Sequence, residues 1–338
     1  NDNIVSKQNN PKLLFIVPYN IYGGAEIYIE NIINELPNSY ELSIICAKPN
    51  IIQNRINKKN VYHRTIELTE QLKNYIKPAQ PQFIFYYNSE EIYLLLLELK
   101  RKSELSSNLI EIYHSDFSWT GALSLVSKRE HLFKMIMVSE QVGTKINFED
   151  KVVLPVGINI ERFNVDSNKR KELGLSKSDK VIGTVCRLSK EKRVDYILEL
   201  AKEMSDYKFL IIGDGPERKR LESIATKNVI FTGFRQDVEL YLKTMNAFIL
   251  ASRMEGTPIS IIEAMAAKIS IFSNFVGGIP SIIKDGHSAT KISGDNVKED
   301  CEIIRKNFQN INYINNAYDD VIKKHDIKNN IKEFINIL

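Results

Sequence analysis

Short, continuous apolar runs alternate with longer amphipathic stretches along most of the chain. Lys12–Val17, Tyr40–Cys46, Phe83–Tyr87, Leu109–Tyr113 and Met135–Val138 are too short for helices and apolar on both faces, which predicts buried strands. Helices are expected between them, notably Ala25–Leu36 and Glu90–Lys102. Strands covered on both faces by interleaved helices imply a mostly parallel sheet. The pattern breaks over Lys151–Phe163, where Pro155 and Gly157 interrupt it, and a segment rich in Lys and Asn follows to Lys180. A second alternation then begins: strand Lys180–Cys186, helix Arg193–Met204, strand Lys208–Ile212, helix Glu217–Thr226, strand Val229–Phe231 and strand Ala247–Ala251. The expectation is an α/β protein of two doubly wound domains, over residues 11–160 and 165–314. Residues 1–10 are polar and fall outside both, and 315–338 reads as helical.

The stretch from Ser252 to Gly278 carries the most chemistry. It follows the apolar run Ala247–Ala251, and its helix should begin at Pro258 with Thr257 as N-cap, since proline suits a first helical position whose N–H has no partner. Ile261, Ile262, Met265 and Ala266 then face inward while Ile259, Ser260 and Glu263 share the other face. Free N–H groups of the first turn attract an anion such as phosphate, and Glu263 can accept hydrogen bonds from vicinal hydroxyls. Glu255 lies in the loop at the strand's carboxyl end, where open α/β sheets bind ligands. A capped surface helix with two solvated glutamates is the alternative.

Three further places bear on a ligand. Arg187 and Lys192 flank the loop after strand Lys180–Cys186, where arginine can grip phosphate through two N–H groups and lysine supplies a movable charge; a solvated loop is the alternative. Gly23 and Gly24 stand at the entrance of the first helix, where glycines let phosphate or sugar approach the backbone; a plain tight turn is the alternative. His114 ends the strand Leu109–Tyr113 and could hydrogen-bond a sugar hydroxyl, although a lone histidine is more often structural. Glu90–Lys102, apolar with the basic end Lys100, Arg101 and Lys102, reads as a core-packed helix; lying on an anionic membrane is its alternative.

Composition narrows the field. The 338 residues are 43% hydrophobic and 26% charged, enough for two globular cores. A net charge of +4 suits anionic small molecules or an anionic surface and is too mild for nucleic acid. Cys46, Cys186 and Cys301 stand far apart, giving neither a disulfide framework nor a metal cluster and favouring a reducing cytoplasm. There is no apolar run of about 18 residues. The first residue is Asn1, which allows a natural start upstream.

Taken together these residues resemble the family 4 glycosyltransferases, retaining enzymes of the GT-B fold, in which two Rossmann-like domains face each other across a cleft. The resemblance rests on Gly-Gly-Ala-Glu (Gly23 to Glu26), Gly-Thr-Val-Cys-Arg-Leu-Ser-Lys-Glu-Lys (Gly183 to Lys192), Gly-Asp-Gly-Pro (Gly213 to Pro216), Glu-x7-Glu (Glu255 to Glu263) and Gly-Gly-Ile-Pro (Gly277 to Pro280). It runs almost continuously through the second half and touches the first only at Gly-Gly and His114. It implies a nucleotide-sugar substrate, UDP-linked by default, and a glycan or lipid-linked glycan acceptor in bacterial surface polysaccharide synthesis, with no cofactor and no metal. Arg187 and Lys192 would hold the diphosphate, Glu263 the ribose, Glu255 the transferred sugar and His114 a sugar hydroxyl. Thr257, Pro258 and Ile259 would lie at the anion-binding helix start, and Gly23 and Gly24 against the diphosphate or acceptor. A cytoplasmic enzyme, with contact to the membrane's inner face through the first domain, is the implied setting, and the C-terminal helix would pack back onto that domain. The chain departs from the family pattern at Ser281, usually Glu, at Lys268, usually Gly, and at Val156, usually Asn. A sugar-nucleotide epimerase or hydrolase on the same fold, or a non-catalytic nucleotide-sugar-binding module, are the competing readings. The surroundings of Asp116 and Trp119 and the stretch Tyr19 to Tyr22 match no pattern.

Overall fold

The computed structural model describes residues 11–18, 23–47, 52–58, 60–66, 70–87, 89–114, 129–144 and 146–338. The chain forms two compact units: one up to Gly157 together with Ile327–Leu338, the other Ile158–Asp326.

The first unit is built on seven strands, β1 (Lys12–Val17), β2 (Glu41–Ala47), β3 (Val61–Ile66), β4 (Phe83–Tyr87), β5 (Asn108–Tyr113), β6 (Leu132–Met137) and β7 (Lys151–Val153). Their order is β3-β2-β1-β4-β5-β6-β7, and every pairing is parallel. The runs are apolar because both faces are covered; from Leu13 to Val17 no residue of β1 is more than 1% exposed. Helix Glu90–Arg101 starts where Ser89 Oγ accepts from Ile92 N, and it buries Ile92, Leu96 and Leu99 against β1 and β4. It is a core-packed helix, with Leu94 left outside. At its basic end, Arg101 pairs with Glu130 at 2.6 Å and Lys102 with Glu98 at 2.6 Å, while Lys100 donates to Ser106 O. Those acids cancel much of the charge that an anionic membrane would attract.

The second unit holds β8 (Val181–Val185), β9 (Lys208–Ile212), β10 (Val229–Gly233), β11 (Ala247–Leu250), β12 (Ser270–Ser273) and β13 (Thr290–Lys291) in the order β10-β9-β8-β11-β12-β13. Again all pairs are parallel. Helices Val194–Glu203, Arg218–Ile224 and Val297–Asn307 pack into one apolar cluster against the sheet. Helix Ile259–Ala266 instead packs with Ile311–His325. β12 (Ser-Ile-Phe-Ser) and β13 (Thr-Lys) escaped the hydrophobic pattern because polar residues make up half or more of each.

Two expectations change here. The C-terminal 315–338 is not one helix: Ile311–His325 belongs to the second unit and Ile327–Ile337 to the first. The break falls at Asp326, which bridges to Ile158, and His325 O accepts from Ile158 N at 2.8 Å. The change of unit falls at Gly157/Ile158, inside the interrupted stretch, because Leu154–Gly157 is fastened to the first unit. Tyr28 Oη donates to Leu154 O, Asn31 Nδ2 to Gly157 O at 2.8 Å and Asn330 Nδ2 to Pro155 O at 2.6 Å.

Helix Ile327–Ile337 is anchored by Phe334, whose ring lies 5.0 Å from Phe85 and 6.4 Å from Phe15, themselves stacked at 4.8 Å. All three rings are fully buried. Phe334→Ala should therefore destabilise the first unit by about 3–5 kcal/mol, the range for truncating a buried aromatic. Urea unfolding followed by a probe in that unit checks this, and a loss below about 1 kcal/mol would mean that the helix docks by other contacts.

Candidate functional site

The strand order of the second unit splits at β8. Its neighbour on one side is β9 and on the other β11, and the helices that follow β8 and β11, Val194–Glu203 and Ile259–Ala266, leave in different packing groups. At such a point the two connections diverge and open a crevice beyond the carboxyl ends of the strands. The loops there carry Arg187 and Lys192 after β8 and Glu255 through Glu263 after β11.

Close backbone packing fixes both loops. Gly213, after β9, has φ +130°, and a Cβ there would stand 1.9 Å from Cys186 O. Leu188 N donates to Asp214 O at 2.9 Å, which ties the β8 loop to the β9 loop. Gly277, with φ +55°, lies so close to Glu255 that a Cβ would meet its carbonyl oxygen at 1.9 Å, and Gly278 N donates to that oxygen. Arg253 N donates to Glu191 O at 2.8 Å and joins the loops after β8 and β11. Side chains on such backbone keep their places.

At the junction, Lys192 Nζ donates to Glu255 Oε1 at 2.7 Å, with the two side chains 22% and 5% exposed. Ser252 Oγ donates to the same oxygen at 2.6 Å. Arg187 is exposed at the end of β8. Burial works to raise the Glu191 carboxyl, but the Ser189 hydroxyl, the Glu191 N–H, Arg187 and Lys192 together hold it below its ordinary value. Of the loop's cations Arg187, Lys190 and Lys192, Lys192 is already in contact with one carboxylate.

The helix start differs from expectation. Pro258 is the N-cap rather than the first helical residue, and the helix is Ile259–Ala266. Thr257 does not cap it; its hydroxyl is buried without a hydrogen-bond partner among the described residues. A proline N-cap offers no side-chain oxygen, so the first N–H groups receive no side-chain cap. Ile261, Ile262, Met265 and Ala266 are buried as expected; Ile259 is buried too, while Ser260 and Glu263 are half-buried. Lys268 adopts the left-handed conformation, φ +59°, that a glycine takes freely, and its Nζ sits 4.0 Å from the Tyr318 ring centre. Ser281 donates to Gly278 O at 2.6 Å within its own turn.

Gly23, Gly24 and His114 stand in the first unit. Gly23 is the N-cap of helix Gly24–Glu35, and its N–H donates to Glu26 Oε2 at 2.9 Å. Glu26 is buried, which raises its carboxyl despite hydrogen bonds from its own N–H and that of Gly23. His114 follows β5 with Tyr28 and Tyr87 edge-on to its ring at 5.1 and 5.2 Å, and its buried Nε2 has no partner among the described residues. Burial lowers its pKa to about 3, so the ring is neutral. Tyr19 to Tyr22, Asp116 and Trp119 lie outside the described residues.

Sequence reasoning missed Ser252, Asn274 and Glu26. Ser252 precedes Glu255 by three residues, the Ser-x-x-Glu spacing at which a hydroxyl and a carboxylate meet in a turn. It missed Glu111 as well, fully buried in β5, whose Oε2 accepts from Arg129 Nε at 3.1 Å. Among the described residues there is no group of three acidic, His or Cys side chains placed to hold a metal, and no helix long and apolar enough to cross a membrane.

Residues 165–332 match the glycosyl transferases group 1. That span takes in all of β8–β13 and both loops of the crevice. N-acetyl-alpha-D-glucosaminyl L-malate synthase of Bacillus anthracis is 30% identical over 191 residues, 53% of this chain and 47% of that protein. UDP-Gal:alpha-D-GlcNAc-diphosphoundecaprenol alpha-1,3-galactosyltransferase of Escherichia coli is 30% identical over 149 residues, 39% of this chain and 38% of that one. The chain spans less than half the length of these relatives. The Anabaena protein Alr3699/HepE, solved in complex with UDP and glucose, superposes with a TM-score of 0.82 over 96% of this chain and 98% of its own, at 16% identity. The fold is GT-B, with two Rossmann-like domains of seven and six parallel strands.

His114 makes stability depend on pH. Its folded pKa lies below the ordinary 6.5, so the unfolded chain takes up the proton first as pH falls, and stability is lost from about 6.5 downward. Between pH 6.5 and about 4 the loss attributable to this ring should be on the order of 3 kcal/mol, and His114→Phe should abolish it. Subtracting the variant's denaturant-unfolding profile from that of the parent cancels every other group, Glu111 included; a difference flat across this window would show that the ring is reached by solvent or a partner.

Proposed function

We propose that this protein is a glycosyltransferase that moves a sugar from a nucleotide diphosphate sugar, a UDP-sugar by default, to a glycan or lipid-linked glycan with retention of anomeric configuration. Bacterial surface polysaccharide or glycolipid synthesis is the setting that its relatives' names favour. The observation that carries the reading is the crevice at the β8/β11 split: Lys192 against Glu255, Arg187 exposed on the same loop, and a helix start without a side-chain cap, all on group 1 residues.

The chemistry follows from charge. Breaking the bond from the anomeric carbon to oxygen leaves negative charge on the diphosphate and positive charge on the sugar ring. Fixed cations and helix N–H groups stabilise that charge more in the transition state than before it, and that difference is what accelerates a reaction. Arg187 and Lys192 supply the positive charge, so the reading needs no divalent metal. Glu263 receives ribose hydroxyls and Glu255 hydroxyls of the transferred sugar. An oxygen of the departing phosphate takes the acceptor's proton as the new bond forms on the face that the donor leaves. Neutral His114 offers a hydrogen bond to a sugar hydroxyl and does not serve as a base, since its pKa of about 3 leaves it a poor proton acceptor.

A true donor should raise the unfolding temperature in a panel of nucleotides and nucleotide sugars, by mass action on the folded state. Arg187→Ala should then lower turnover with that donor by about a hundred- to a thousand-fold, the scale of removing one preorganised charge donor. Turnover within about tenfold of the parent would count against Arg187 as a diphosphate ligand. Rapid donor consumption without any acceptor would instead indicate hydrolysis or epimerisation.

A further inference from the structure

The Glu255 carboxylate is unevenly satisfied. Oε1 accepts from both Lys192 Nζ and Ser252 Oγ, while Oε2 has no donor among the described residues, on a side chain only 5% exposed. An oxygen on so enclosed a side chain, with no donor from the described residues, is placed to accept a hydrogen bond from a ligand. Ser252 is itself fixed. It is fully buried, and its carbonyl oxygen accepts from Asn274 Nδ2 at 2.8 Å, which reaches over from the end of β12. Asn274 is 8% exposed, and its other amide atom, Oδ1, is buried without a partner among the described residues. The chain of contacts therefore runs Asn274, Ser252, Glu255, Lys192, across the ends of three strands.

We infer that Ser252, held by Asn274, is a positioning residue that commits one oxygen of Glu255 to the protein and leaves the other for a hydroxyl of the transferred sugar. The inference rests on the proposed reading of this crevice as the donor site. Two donors on one oxygen fix the carboxylate's rotation. With Ser252 gone, Lys192 alone holds it, and a flexible ammonium constrains direction poorly. The fixed rotation favours a donor that bears a sugar over the bare nucleotide, because the nucleotide has nothing to offer Oε2.

The test compares affinities for UDP and for the UDP-sugar that stabilises the parent protein most in the thermal panel, by calorimetry. In the parent the sugar should tighten binding. In Ser252→Ala that gain should shrink by about tenfold, the weight of one hydrogen bond to a charged group, while UDP affinity stays within about twofold. Ser252→Thr, which keeps the hydroxyl, should restore most of it. Asn274→Ala reads the same relay without touching the carboxylate and should cost about threefold of the same gain, so that the comparison survives if Ser252→Ala folds poorly. Parallel loss of both affinities in these variants, or no change in either, overturns the inference and leaves the donor site standing. A parent protein that binds no nucleotide sugar more tightly than its nucleotide overturns the reading of the crevice and the inference with it.

Discussion

The candidate site depends on one contact, the ion pair of Lys192 with Glu255 between the loops that follow the paired strands β8 and β11. A lysine on one loop and a glutamate on the next can meet only if both loops are held, and a screened pair tolerates little slack. Losing one partner strands the other charge where water compensates poorly. The glycines around the pair serve this end. Gly213 and Gly277 let backbone approach Cys186 and Glu255 more closely than any side chain permits, which ties the loops after β8 and β11 to their neighbours.

The pair also makes the site switchable in composition without making it move. With no ligand, Glu255 neutralises much of the charge on Lys192; a diphosphate would add an anionic partner for the lysine and for the exposed Arg187. The Thr257 hydroxyl, without a partner among the described residues, and a helix start without a side-chain cap add hydrogen-bonding groups there. Unsatisfied groups are rare in folded proteins, and several around one crevice mark a place arranged for something that the chain does not contain. The first unit shows the same economy at His114, whose neutral ring sits between two tyrosine edges.

Much of the fold was legible because buried parallel strands cannot hide. Phe83–Tyr87 or Lys208–Ile212 reads as a strand on its own, and the alternation with helices gives the doubly wound arrangement. The Glu-x7-Glu spacing and the cations after β8 were visible for a similar reason: a loop at a strand's carboxyl end is a readable address. What escaped was pairwise. That Lys192 contacts Glu255 depends on a strand order in which β8 neighbours β11, and no local pattern encodes that order. Asn274 looked like loop because β12 before it is bounded by serines and shows no apolar run, and Ser252 counts only once its hydroxyl is seen on the carboxylate. The proline at 258 misled for a physical reason: it is compatible with both the N-cap and the first helical position, and only backbone geometry separates them.

The central claim is that the second unit carries a diphosphate site at the split between β8 and β11. A crystal structure of the protein with UDP tests it most directly. The account predicts density for the diphosphate between the Arg187–Lys192 loop and the start of helix Ile259–Ala266, with the ribose hydroxyls on Glu263. UDP bound elsewhere on the chain, with Lys192 and Glu255 undisturbed and no ligand oxygen near Arg187, would contradict it.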